Sequence, residues 1–130
     1  MTRETARRER GAAVADFALV SGLVTFVFLG VLQLGFTLHT RNTLVSCAAE
    51  GARVAARQGA SPADGVARAR ALIRASLADG YADDVTASTE DTPSGVRVVV
   101  VTVRAPVPVI GPFGIGESMD LVGRAFDESQ

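Results

Sequence analysis

Between Gly11 and His39 the chain runs 27 residues with Asp16 as its only charge. As a helix rising about 1.5 Å per residue, this stretch would be about 40 Å long. A bilayer core needs only about 20 apolar residues, so the segment can span with tilt or project beyond the membrane. A removable secretory signal has an apolar stretch of about 7–15 residues followed by a small-x-small cleavage site. Here the stretch is nearly twice as long, and His39-Thr-Arg-Asn42 follows it. A 27-residue buried core helix would be hard for a 130-residue protein to cover on all sides. The segment therefore reads as a single transmembrane helix.

Positive charge sets its expected orientation. Arg3, Arg7, Arg8 and Arg10 precede the run, whereas Arg41 follows closely and Arg53 and Arg57 lie farther on. Only basic residues near the ends count, so the N-terminus is expected in the cytoplasm and the rest outside it.

About 92 residues remain for a soluble part, enough for one small domain. The net charge of −1 leaves no basic surplus for nucleic acid. All 13 basic residues are arginine, a compositional bias rather than a phosphate-binding design. One Cys and one His give neither an internal disulfide nor a credible metal site. Cys47 lies among small residues and reads as a small hydrophobe; His39 sits where the chain leaves the apolar run. Asp83-Asp84 and Glu90-Asp91 read as solvated turn acids, too few for calcium. No catalytic residues, cofactor or small-molecule substrate are expected.

The helical pattern continues through Thr40–Gln58, with Leu44, Val45, Ala48, Ala49, Ala52 and Ala56 at three-and-four spacing. Ala48, Ala49 and Ala52 form a small-residue face that a partner could pack against closely. Gly59 is the expected stop. Ser61-Pro62-Ala-Asp64 announces a second helix, with Ser61 as N-cap, an apolar face at Val66, Ala69, Ile73 and Leu77, and Gly80 as its end. From Asp84 the pattern turns extended. Val85–Thr89 is a short polar strand and Asp91–Gly95 a turn. Val96–Arg104, β-branched nearly throughout, reads as a central strand ended by Pro106 and Pro108. The apolar loop Val107–Gly116 leads to a third strand near Asp120–Phe126. Ile110, Phe113 and Ile115 in that loop either cover the domain's own sheet or form a docking patch.

The expected class is α+β: a long N-terminal transmembrane helix continuing outside the membrane, a second helix and a small three-stranded antiparallel sheet. The expected divisions are a basic cytoplasmic leader at 1–11, the membrane span at 12–38, its extramembrane continuation at 39–59, and an extracytoplasmic domain at 60–130.

Two motifs bracket the long helix. The first is Arg10-Gly-Ala-Ala-Val-Ala-Asp-Phe-Ala-Leu19; the second is Arg41-Asn-Thr-Leu followed by Ala48-Ala-Glu-Gly-Ala-Arg53. Basic stub, glycine, and an acid at the fifth position beyond it resemble the class III leader of type IV pilin-like proteins. Together the two motifs resemble the TadE-like family of tight-adherence (Flp-type) pilus systems, over residues 7 to about 58. The resemblance implies a pilin-like fold and a minor pilin or pseudopilin that takes part in pilus assembly. It implies partners in the membrane: other pilins or pseudopilins, and a prepilin peptidase cutting between Gly11 and Ala12. It also implies that Asp16, with Phe17 beside it, pairs its charge with the new ammonium of Ala12 within a chain or between neighbours. The family usually carries Glu where this chain has Asp16, which keeps the charge and shortens the arm. The alternative from the residues alone is a single-pass envelope adaptor unrelated to pili, which would need neither Gly11 nor an acid at position 16.

Overall fold

The computed structural model describes residues 2–109 and 118–128. Its elements in order are α1 (Thr2–Ala55), α2 (Pro62–Ser76), a short 3-10 helix (Asp79–Ala82), and strands β1 (Asp84–Asp91), β2 (Arg97–Pro106) and β3 (Ser118–Phe126). The α+β architecture expected from the sequence is the one observed. The chain divides into two compact units, residues 1–35 and 36–130, and α1 contributes to both.

The first unit is helix alone. Its large apolar side chains from Val14 to Leu34 are each between 41 and 75% exposed. Apolar surface exposed to water costs about 25 cal/mol per Å², so a helix bare on every side calls for lipid or other helices around it. The helix is long and apolar enough to cross a membrane. Gly22, Gly30 and Gly35 face open space.

The second unit is a helical layer on one face of a sheet. The last turns of α1 bury Thr40, Leu44, Cys47, Ala48, Ala52 and Ala55, a stripe at three-and-four spacing that Ala56 just beyond the helix extends. Helix α2 opens with a full capping box: the Asp64 backbone N–H donates to the Ser61 hydroxyl, and the Ser61 N–H donates to the Asp64 carboxylate. It buries Gly65, Ala69 and Ile73.

The sheet has the order β1-β2-β3, both pairs antiparallel, so β2 is central as its composition demands. Val99, Val101, Val103 and Ala105 of β2 point inward beside Val85 of β1 and Leu121 of β3, and all are nearly fully buried. On the opposite face Arg104 reaches the carboxylates of Asp84 and Asp120, its partners in register on either side. The β1–β2 turn is closed by Gly95 N–H to Thr92 carbonyl, with Gly95 at φ 79°, where a side chain would be strained.

Both helix ends differ from expectation. Helix α1 stops at Ala55, and Gly59 instead supplies the left-handed position (φ 80°) of the turn Arg57–Ala60, closed by Ala60 N–H to Arg57 carbonyl. Helix α2 stops at Ser76, and Gly80 lies inside the 3-10 helix. Its C-cap, Leu77, adopts an extended conformation while its N–H still reaches the Ile73 carbonyl, and its side chain packs against the core. Burial of Leu77 and Ala82, rather than the glycine, fixes where the chain turns.

Candidate functional site

Gly11, Ala12, Asp16 and Phe17 all lie on α1. Helical geometry puts Ala12 and Asp16, four apart, on one face. All four are exposed, and among the described residues no atom beyond the helix's own backbone lies near the space a side chain on Gly11 would occupy. Asp16 has no hydrogen-bond or ion-pair partner among the described residues. A lone carboxylate on a bare apolar helix costs about 2.5–3.5 kcal/mol at a membrane centre, and less toward the headgroups. The positive end of the helix dipole favours an acid near an N-terminus.

The second motif is a packing module. Ala48 and Ala52 have no exposed surface and Ala49 is half-buried. They pack on the chain's own sheet and second helix. Ala48 and Ala49 meet Gly123 of β3, where any side chain would collide with their backbone. One turn on, Gly51 meets Gly65 of α2. The small-residue face offered above to a partner is thus taken up inside the protein, because only alanine and glycine let the helix backbone approach both elements. Glu50 and Arg53 of the same motif form an ion pair of 2.7 Å on its solvent side. The Arg53 guanidinium, with Arg68 and Arg57 beyond it, holds the Glu50 carboxyl below the usual carboxylate range.

Gly51, Gly65 and Gly123 were not singled out from the sequence. An isolated glycine in a strand marks close backbone approach, and Gly123 between Val122 and Arg124 carried that signal.

Cys47 is 6% exposed, and burial pushes its thiol above the ordinary range. Among the described residues no three His, Cys, Asp or Glu side chains are placed to hold a metal ion. His39 is exposed, and its carbonyl accepts from the Thr43 hydroxyl. Ile110, Phe113 and Ile115 lie outside the described residues.

Residues 11–53, which hold both motifs except Arg10, match the family described as TadE-like protein. The match covers about a third of the chain. No curated protein and no solved structure matches. The matched segment lies on the described helix that is long and apolar enough to cross a membrane.

Proposed function

We propose that this protein is a minor pilin or pseudopilin that takes part in assembling a tight-adherence pilus. The supporting observation is that the TadE-like match begins at Gly11 and covers the apolar helix whose side chains are bare and whose acid, Asp16, is unpaired among the described residues. Such a helix lowers its free energy by packing beside other pilin helices within lipid, where van der Waals contact drives association. Asp16 then finds its cation in the ammonium of Ala12, exposed by a prepilin peptidase cutting after Gly11, on its own chain or a neighbour. That pair fixes the axial register of the subunits. The N-terminus lies in the cytoplasm, and the α+β unit lies outside it and meets further pilus components.

Intact-mass measurement and N-terminal sequencing of protein from its native membrane test the reading, with Gly11→Ala in parallel. The expected result is a chain beginning at Ala12 that is lost in the variant. Full-length chain in both cases would remove the processing step and bring a plain envelope adaptor level with the pilin reading.

A further inference from the structure

The α+β unit carries a groove of about 490 Å³ where the end of α1 meets the end of β3. Three arginines line it, Arg53 and Arg57 from the helix side and Arg124 from the strand, with Glu128 as the acid among its lining residues. Arg53 is committed to Glu50 at 2.7 Å. Arg57 and Arg124 are exposed and have no ion-pair partner among the described residues. Within the groove's lining the three guanidiniums outnumber the one carboxylate, Glu128.

The walls are fixed. The Glu128 N–H donates to the Ala56 carbonyl at 2.8 Å, and the Asp127 N–H donates to the Arg97 carbonyl at 3.0 Å, so the chain leaving β3 is tied to both the helix end and the sheet. The floor at Ala56 is small and buried. Beside the arginines Phe126, the last residue of β3, stands 72% exposed although its partner in register, Val98, is buried. Among the described residues, neither hydrophobic cluster of the unit includes that phenyl ring.

We infer that this groove is a docking site for an acidic segment of a protein partner, its carboxylates on Arg57 and Arg124 and an apolar side chain on Phe126. Guanidinium forks match carboxylates bidentately, and an aromatic ring beside arginines is the composition of an energetic centre in protein interfaces. The volume suits a few residues rather than a large surface. This inference needs only the folded α+β unit and stands apart from the pilus reading.

The test uses the full chain in detergent micelles and a short fluorescein-labelled polyglutamate peptide, with polyglutamine of equal length as control. Polyglutamate should bind and polyglutamine should not. The double variant Arg57→Glu/Arg124→Glu should weaken binding about tenfold or more, in line with reversal of close charge pairs. A polyglutamate peptide ending in leucine should bind more tightly than one without it, and Phe126→Ser should erase that difference. Unchanged slow alkylation of Cys47 in each variant establishes that the fold is intact. Four results would overturn the inference: no polyglutamate binding, binding indifferent to the double variant, equal displacement by inorganic phosphate at the same concentration, or binding only to anionic lipid vesicles.

Discussion

Gly51 and Gly65 meet backbone to backbone where α1 crosses α2: a Cβ on either would stand 2.7 Å from the other's carbonyl oxygen. Neither backbone oxygen can swing away as a flexible side chain would. The same helix rests on Gly123 of β3 through Ala48 and Ala49. Three glycines thus fix how closely the end of α1 lies on the second helix and the sheet, and the Ala48–Arg53 motif is shaped to them.

Gly51→Val should therefore destabilise the α+β unit by about 1–3 kcal/mol, the usual cost of forcing extra methyl groups into a packed site. Gly123→Val should do at least as much. Gly22→Ala, where the space is open, should cost nothing and gains helix propensity. Cys47, the chain's one cysteine and buried in this core, reports all three: its alkylation should accelerate in the first two variants and not in the third.

The capping box gives a second expectation. Ser61→Ala removes the acceptor for the Asp64 N–H and should cost about 1 kcal/mol of α2 stability, measured as a fall in the midpoint of chemical unfolding.

Acid should weaken the same region. Hydrogen bonds from the Ser61 hydroxyl and then the Ser61 N–H hold the Asp64 carboxyl below its ordinary value, and Arg53 does the same for Glu50. A carboxyl depressed in the folded state stabilises it above the unfolded value, near 4, and loses that contribution as pH falls through the folded value. Stability should thus be flat from pH 7 to about 5 and decline below about 4. Ser61→Ala should flatten that decline, read as the midpoint of chemical unfolding across the pH series.

Asp16 separates charge from shape. Asp16→Glu should preserve pilus assembly and Asp16→Asn should abolish it, with equal amounts of each protein in the membrane fraction. Equal assembly by Asp16→Asn would remove charge pairing from the account.

Much of this was legible locally. Ser61, Pro62 and Asp64 specify a helix start within four residues, and the valine run of β2 can only be a strand covered on both faces. The bare apolar helix follows from composition alone. What escaped was non-local. Gly59 and Gly80 look like helix stops, but the helices end where Ala55, Ala56 and Leu77 find the core. The alanine face at Ala48 and Ala52 reads as an offer to another chain because nothing nearby in sequence says that Gly123, some 70 residues later, will fill it. Small residues announce close approach without naming what approaches.

The central claim is that this chain serves in building a tight-adherence pilus, and deletion of its gene tests it most directly. Pilus protein sheared from the cell surface and quantified by immunoblot should fall to background in the deletion strain and return with the wild-type chain supplied in trans. Undiminished surface pili in the deletion strain would contradict the account.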